Sequence, residues 1–360
     1  MKYFSNVSYW GLFAKMIFTI SFFCAQNSLA LKLYNTGSRT DVSTTTSQLI
    51  CLAGGGDDDL WATGWKAMLT AAGGGDVVII RADGSRGGYE SWIYNDDSKN
   101  GFPKVNSVKV ISLTKAADAN RADVEQLILN AELVFFSGGD QSVYINWLRG
   151  SKLAAAVDYV MKVKKVPVGG TSAGMALLAG IDYSANYSSP SKKNAMVTAD
   201  DVLKDPTGIF VDLDRTVLTP PFMNQVITDT HFSQRNRQGR LMGFMARAVY
   251  NNYGDIFYNN VKGIGADEGT AVCYNSAGQA QVHGAGNAYF LKGNSQIERL
   301  RVGYSLDWFA NRQAVSAYVI NGSQTQSAQF DLGSWVGVGG VVQNWWVDGF
   351  NQLAPLFGID

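Results

Sequence analysis

Histidine and cysteine are scarce in this chain, which has 2 histidines and 3 cysteines among its 360 residues. Zinc and most transition-metal sites take their ligands from clusters of these residue types. The loop Asp83–Gly88 also lacks the glycine, lysine and serine or threonine pattern of a phosphate-binding loop and the glycine pattern of a dinucleotide site. The sequence therefore predicts no metal centre and no cofactor.

An excess charge of either sign is also missing, because 30 basic residues balance 30 acidic ones. This balance gives no indication of binding to nucleic acid or to an anionic membrane surface. No apolar run reaches the roughly 20 residues that a membrane-spanning helix needs. The sequence therefore predicts a soluble protein with no membrane partner after processing.

The first thirty residues have the pattern of an export signal. Lys2 and Lys15 precede the uncharged run MIFTISFFCAQ, and the small residues Ser28 and Ala30 are suitably placed for cleavage. We therefore expect residues 1–30 to be a signal peptide, the mature chain to begin near Leu31, and the protein to be periplasmic or extracellular.

Two cysteines remain after this cleavage, Cys51 and Cys273. An oxidising compartment would allow them to pair. Each lies in an apolar, strand-like stretch, however, and this favours two buried free thiols.

Apolar β-branched runs alternate with helix-like segments between residues 48 and 179. This alternation predicts an α/β fold with a mostly parallel central sheet covered by helices on both faces. Ligands in such folds bind at the carboxyl ends of the strands. The predicted strands are LICLAG, DVVIIRA, VKVISL, LVFFSGG and VPVGG, and the predicted helices are LWATGWKAMLTAAG, RADVEQLILNA and KLAAAVDYVMKVKK.

The second half of the chain is less regular. A polar insertion runs from about 183 to 214, and a helix is expected to begin near His231 or Gln234. Beyond about Asn294 the chain is rich in glycine, serine and tryptophan, which predicts β or irregular structure. The aromatics Trp335, Trp345 and Trp346 could line a glycan site, but burial against the main domain is favoured.

Ser172 lies in GTSAG, residues 170–174, which fits the G-x-S-x-G pattern. In this pattern a serine occupies a strained strand-to-helix turn with its hydroxyl exposed above the sheet. The backbone N–H of Ala173 would then point to the place where an oxyanion forms. A small-residue turn that merely feeds a helix is the alternative interpretation.

A nucleophilic serine needs a base, and His231 and His283 are the candidates. His283 is interpreted as an exposed turn residue, so His231 is the better base. A carboxylate should orient its imidazole, and Asp267 and Glu268 both follow an apolar run. The chain order serine, histidine, acid differs from that of ordinary α/β-hydrolases and weakens a lipase or esterase interpretation.

The motifs SGGDQ, GGTSAG, DTHFSQRNRQGRL and GIGADEGTAV together resemble those of the cyanophycinase-like serine peptidases, the family that includes aspartyl dipeptidase. The resemblance runs from about Leu49 to Leu291. It implies a glutamine-amidotransferase-like α/β sandwich over residues 31–294. Residues 295–360 have no counterpart in the compact cyanophycinase and are expected to form a C-terminal extension packed on the main domain. The resemblance also implies a homodimer with Ser172 as nucleophile, His231 as base and Glu268 as orienting acid.

Backbone amides near Gly139 and Ala173 are expected to form an oxyanion site, and the resemblance further implies substrate contacts. The forked guanidinium group of an arginine at a pocket rim can bind a free carboxylate of the substrate, and an acidic or amide side chain can bind an amino group of the substrate. The chain departs from the family where Asp229 is followed by Thr230 instead of glutamine, and the 183–214 insertion could reshape the pocket. The implied substrate-binding residues are Gln141, Asp229, Arg235, Arg237 and Arg240.

These features predict an exported serine peptidase that hydrolyses β-aspartyl or related acidic peptide bonds, with cyanophycin as one candidate substrate. The alternatives are a noncatalytic exported binding module that keeps the fold and, less favoured, an esterase.

Overall fold

The computed structural model describes residues 31–360 apart from 96–98, 216, 254, 325–326 and 351–354. The expected signal peptide, residues 1–30, lies outside the described residues. Two large β-sheets and eight α-helices form the described part. No helix in these ranges is long and apolar enough to cross a membrane.

The first sheet has ten strands. Its central five are parallel and buried, and they coincide with the five apolar runs of the sequence. In spatial order the strands are β1 (Lys32–Gly37), β4 (Ser107–Ser112), β3 (Asp76–Arg81), β5 (Leu133–Phe136), β6 (Val168–Thr171), β2 (Leu49–Ala53), β11 (Thr270–Asn275), β12 (Gln279–Gly284), β15 (Gln329–Asp331) and β16 (Val336–Val338). The predicted mostly parallel central sheet of an α/β fold is confirmed.

The second sheet has six strands, of which only β9 and β10 are parallel neighbours. Its spatial order is β18 (Leu356–Ile359), β17 (Val341–Asp348), β14 (Val315–Asn321), β13 (Asn287–Gly293), β10 (Lys262–Ala266) and β9 (Val226–Asp229). A small pair, β7 (Asp182–Tyr183) and β8 (Leu213–Asp214), lies in the polar insertion. The C-terminal β-rich region thus supplies strands to both large sheets.

The helices include three that the sequence pattern predicted, α1, α3 and α5. The first two are shorter than their predicted segments, whereas α5 continues directly into a π-helical turn, Val160–Lys164, so its predicted segment is helical almost to its end. The last long helix, α8, starts several residues later than expected. The helices are α1 (Ala62–Ala71), α2 (Tyr89–Asn95), α3 (Ala122–Leu129), α4 (Gln141–Leu148), α5 (Lys152–Tyr159), α6 (Ala173–Ala176), α7 (Ala199–Lys204) and α8 (Gln238–Asn251).

Local signals explain where several helices begin. The Asp140 side chain caps α4 by accepting a hydrogen bond from the Ser142 N–H, and Ser151 caps α5 in the same way through the Ala154 N–H. Thr198 and Asp201 form a reciprocal capping box at the start of α7. These caps determine the residues at which the three helices begin.

The cysteine expectation was wrong. Cys51 on β2 lies directly opposite Cys273 on β11, and the two sulfurs form a disulfide. Both side chains are buried, as predicted, but antiparallel pairing brings residues separated by 222 positions face to face. Sequence patterns that locate strands do not reveal which strands are neighbours.

The three tryptophans of the C-terminal region differ in burial. Trp345 is fully buried and Trp346 is 7 % exposed, so these two pack in the core as favoured. Trp335 is only partly buried and lines a separate cavity.

Candidate active site

Ser172 occupies a sharp turn between β6 and α6. Its φ of 53° lies in the left-handed region, where a non-glycine residue is strained. Its backbone N–H donates to the carbonyl of Ala53 at 2.9 Å, which ties the turn to the neighbouring strand β2. A Cβ on Gly170 would lie 2.4 Å from the backbone of Gly174, so only glycine fits this close approach. The turn is the strained elbow that the sequence predicted.

His231 lies two residues beyond β9, also with a positive φ, 47°. Its backbone N–H donates to the Gly54 carbonyl at 2.7 Å. Its Nε2 is 2.8 Å from the Ser172 hydroxyl oxygen, and its Nδ1 is 2.6 Å from Oε1 of Glu268. The three predicted side chains therefore form one continuous hydrogen-bonded line.

Asp267, the alternative acid, has a different position. It is buried, and its two carboxylate oxygens accept hydrogen bonds from the backbone N–H groups of Ser233 and Asn287. Glu268 is the residue that contacts the imidazole, and its own N–H is held by the side chain of Gln234 at 2.9 Å. From the motif alone the two carboxylates are nearly equivalent, because they are adjacent in the chain. Only the tertiary structure shows which of them points to the histidine.

The imidazole is partly desolvated. Burial lowers the pKa of His231, the hydrogen bond that the ring donates to Glu268 opposes that shift, and the charges of Arg235 and Arg237 reinforce it. The ring is therefore predominantly neutral at pH 7. With its Nδ1 proton held by Glu268, Nε2 presents a lone pair to the serine hydroxyl.

The glycine run 54–56 contributes to this site in a way that the sequence interpretation missed. A short 3-10 turn, Asp58–Trp61, follows these glycines and is capped by Asp57. A Cβ on Gly55, however, would lie 2.4 Å from Cε1 of His231. Gly55 has no side chain because the imidazole packs against its backbone, whereas Gly54 lies against the Ala266 and Asp267 carbonyls and Gly56 lies against Glu268.

A cavity of about 550 Å³ opens beside the serine and histidine. Much of its wall comes from the polar insertion, which therefore does shape the pocket. Its lining residues are Gly139, Asp140, Gln141, Ser172, Ala185, Asn186, Tyr187, Ser188, Asn194, Ala195, Met196, Thr230, His231, Arg235 and Arg237.

Three of the five expected substrate-binding residues line this cavity. Arg235 is half exposed, whereas Arg237 is buried and donates to the Thr230 carbonyl at 2.9 Å. Burial, followed by the charge of Arg240, lowers the pKa of Arg237 to about 10, so its guanidinium remains charged at pH 7. Gln141 is also buried, and its amide donates to the Tyr183 carbonyl of the insertion.

The other two, Asp229 and Arg240, are not among the lining residues. Arg240 is 1 % exposed and Asp229 is 3 % exposed, and they form a two-pronged ion pair beneath the cavity. Arg240 also donates to the Val197 carbonyl at 3.1 Å. Both residues were expected to bind substrate, but neither lines the cavity. Arg240 lies in the interior and not at the pocket rim, because α8 begins only at Gln238 and turns this side chain inward.

Both expected oxyanion positions lie close to the serine, because Gly139 lines the same cavity and Ala173 follows Ser172 directly in the chain. Gly139 lines the cavity at the end of the loop after β5, with a φ of 153°. Ala173 is the first residue of α6, where a backbone N–H has no intrahelical partner. Both positions suit the developing negative charge of an attacked carbonyl.

His283 is not the exposed turn residue that the sequence suggested. It lies within β12, is 6 % exposed, and its Nδ1 is 3.1 Å from the Thr63 hydroxyl. Burial lowers its pKa to about 4, so it is neutral and structural. Within the described ranges, no group of three histidine, cysteine, aspartate or glutamate side chains is arranged to hold a metal ion.

No family model matches the chain. The chain is 25% identical over 227 residues to the cyanophycinase of Geminocystis herdmanii, covering 62% of this chain and 72% of that protein. It is also 25% identical over 183 residues to the cyanophycinase of Synechococcus elongatus, covering 51% of this chain and 48% of that protein. The chain thus spans about half the length of this second relative.

Two solved structures are similar in part. A peptidase from an acI-B1 Actinobacterium superposes with a TM-score of 0.47 at 16% identity, covering 68% of this chain and 91% of that one. The proposed peptidase E of Listeria monocytogenes superposes with a TM-score of 0.37 at 10% identity, covering 66% and 99%.

The serine elbow in an α/β sheet and the similarity to cyanophycinases together support a serine-type peptidase, a hydrolase. Within that class, the chain is similar in sequence to cyanophycinases at 25% identity.

Proposed function

We propose that the protein is an exported serine peptidase that hydrolyses β-aspartyl or related acidic peptide bonds by a Ser172, His231 and Glu268 mechanism. The observation that carries the proposal is the unbroken line from the serine hydroxyl through the imidazole to the carboxylate, with steps of 2.8 and 2.6 Å. Such a line is what nucleophilic catalysis by serine requires.

In the first half-reaction the Ser172 oxygen attacks the peptide carbonyl while His231 Nε2 takes the hydroxyl proton. The backbone amides of Gly139 and Ala173 stabilise the resulting oxyanion. The imidazolium, stabilised by Glu268, then gives its proton to the departing amine, and an acyl-enzyme remains.

In the second half-reaction water replaces the amine. His231 takes a proton from the water, the hydroxide attacks the acyl carbonyl, and the proton passes to the Ser172 oxygen as the ester bond breaks. The products are a carboxylic acid and a free amine, and the enzyme returns to its starting state.

The cavity supports an acidic substrate. Arg235 and Arg237 both line it, and guanidinium groups pair with carboxylates in a fixed, forked geometry. A free carboxylate next to the scissile bond, as in a β-aspartyl linkage, is the group that this charge pattern favours. Cyanophycin is a candidate because the relatives are cyanophycinases.

Mass spectrometry of cleavage products tests the activity. Purified protein is incubated with cyanophycin and with matched α- and β-aspartyl peptides, and we expect cleavage of β-linked substrates. Ser172→Ala should abolish at least about 99% of the turnover, since the nucleophile is gone. Wild-type cleavage by Ser172→Ala would refute the mechanism. Absence of cleavage together with no labelling of Ser172 by a serine-directed probe would favour a noncatalytic binding module.

Export and dimer formation are further parts of the proposal. The buried disulfide between Cys51 and Cys273 fits an oxidising compartment. Intact-mass analysis of protein recovered outside the cytoplasm should give a chain beginning near Leu31, and light scattering should give twice the chain mass. A full-length chain in the cytoplasm would contradict export.

A further inference from the structure

A second cavity, of about 330 Å³, lies in the C-terminal β-rich region, where the β15–β16 hairpin covers one face of the six-stranded sheet. The sheet contributes register partners from β13 and β14, Phe290 with Tyr318 and Lys292 with Ser316. Its lining is Phe290, Lys292, Asn294, Ser316, Tyr318, Phe330, Trp335, Val336, Gly337 and Val342. None of these residues belongs to the proposed active site.

The wall of this cavity is mainly apolar. The rings of Phe290 and Phe330 stack with centroids 3.9 Å apart, and Trp335 meets Phe330 edge-on at 5.1 Å. At the rim, Val336 and Val342 are 61% and 62% exposed. Ligand cavities typically combine such apolar walls with a few polar groups, and this volume is within their usual range.

One lysine lines the cavity and a second lysine is its neighbour in the sheet. Lys292 lines the cavity, and Lys262 is its register partner on β10, with Nζ 4.6 Å from the Trp335 ring centroid. Within the described ranges, neither lysine forms an ion pair with a carboxylate. Burial and the charge of Lys292 lower the pKa of Lys262. An anion placed between them would relieve this repulsion.

The indole N–H of Trp335 is a third polar feature. Its Nε1 is buried and has no hydrogen-bond partner among the described residues. An unsatisfied buried donor costs about 1–3 kcal/mol, and most buried donors in folded proteins have a partner. A ligand oxygen in the cavity could supply the missing acceptor.

We propose that this cavity binds a small amphipathic anion: a carboxylate held by Lys292, Lys262 and the Trp335 N–H, carrying an apolar chain or ring that packs against Phe330, Tyr318 and Val336. The apolar wall provides the area, and the paired lysines select the charge. Both a free fatty acid and the carboxyl end of a short apolar peptide have this chemistry.

Isothermal titration calorimetry of the full mature chain tests the site with three probes: decanoate, decanol and the dipeptide N-acetyl-valyl-phenylalanine. We expect decanoate or the dipeptide to bind with a Kd below about 1 mM, and decanol to bind at least about tenfold more weakly than decanoate. The relative affinities of decanoate and the dipeptide show which source of carboxylate fits better.

Three variants locate the binding. Lys292→Gln should weaken carboxylate binding about tenfold and leave decanol unchanged, because it removes a charge and little apolar area. Trp335→Phe keeps a ring but removes the N–H, and should weaken it about threefold to tenfold. Lys204→Gln on α7 is the control for loss of a surface lysine and should behave as wild type.

The proposal is overturned if neither carboxylate binds at millimolar concentration, if decanoate and decanol bind equally, or if Lys292→Gln binds decanoate like the Lys204→Gln control. Circular dichroism and melting temperature establish that each variant is folded. The outcome is independent of peptidase activity, because the assay contains no substrate turnover.

Discussion

Gly55→Ala is expected to inactivate the enzyme from a position that makes no chemical contribution. A Cβ there would lie 2.4 Å from Cε1 and 2.7 Å from Nε2 of His231. Carbon atoms in favourable contact are about 3.5 Å apart, so the imidazole must move by about 1 Å. Its Nε2 is 2.8 Å from the serine oxygen, and a shift of that size breaks the hydrogen bond.

Gly55→Ala is expected to lower both the folding stability and the catalytic activity, and the two losses can be measured separately. The φ of Gly55 is 99°, and an alanine there costs roughly 1–2 kcal/mol of folding stability. Misplacing the base by about 1 Å should lower kcat/KM by about 10²-fold or more. Activity should therefore fall far more than stability.

A matched control separates strain from displacement. Gly150 also has a positive φ, 66°, but a Cβ there would meet nothing within 4 Å. Gly150→Ala should therefore lose similar stability and keep its activity. Steady-state cleavage of a β-aspartyl peptide and thermal melts of both variants give the comparison. A Gly55→Ala enzyme whose kcat/KM is within about threefold of Gly150→Ala would refute this account of the glycine run.

Three further predictions concern Glu268, Asp182 and the disulfide. Glu268→Gln should lower kcat about 10²- to 10⁴-fold. Because Glu268 opposes the lowering of the His231 pKa, the substitution should also move the acid limb of the pH profile of kcat/KM to lower pH. An acid limb that does not move would contradict the contact between Glu268 and His231. Burial raises the pKa of the Asp182 carboxyl well above its usual value, so the folded state favours the neutral form and loses stability as pH rises above about 4. The melting temperature of Asp182→Asn should therefore exceed that of the wild type by more at pH 8 than at pH 5. An equal difference in melting temperature at the two pH values would contradict this. The Cys51→Ala/Cys273→Ala double variant should have a free energy of unfolding in urea lower by on the order of 5 kcal/mol, because the disulfide closes a loop of 222 residues. Two reactive thiols in the denatured, unreduced wild type would show that the disulfide is absent.

The parallel core of the fold was readable from the sequence. A strand buried on both faces must be apolar along its whole length, so β3 and β5 stand out as DVVIIR and LVFF. Short antiparallel strands such as β15 and β16 gave only a general indication of β structure. Their placement at the edge of the first sheet depends on pairing with β12, which no local pattern encodes.

The serine elbow was also determined locally. The turn at Ser172 needs small residues at fixed offsets, and those residues are adjacent in the chain. The histidine and the acid could be proposed because the chain has so few histidines and because the motifs resemble those of a known family. Their joining into one line with the serine is a property of the tertiary structure.

Other features were decided only by the tertiary structure. Arg235, Arg237 and Arg240 look equivalent in the segment RNRQGR, yet the first is half exposed, the second is buried against the cavity, and the third is sealed in an ion pair with Asp229. The direction of a side chain depends on where the helix starts and what packs against it. In the same way, the Cys51–Cys273 bond depends on the pairing of β2 with β11. Composition and local spacing specify residue types and short turns, whereas burial and strand neighbours arise only when distant segments pack together.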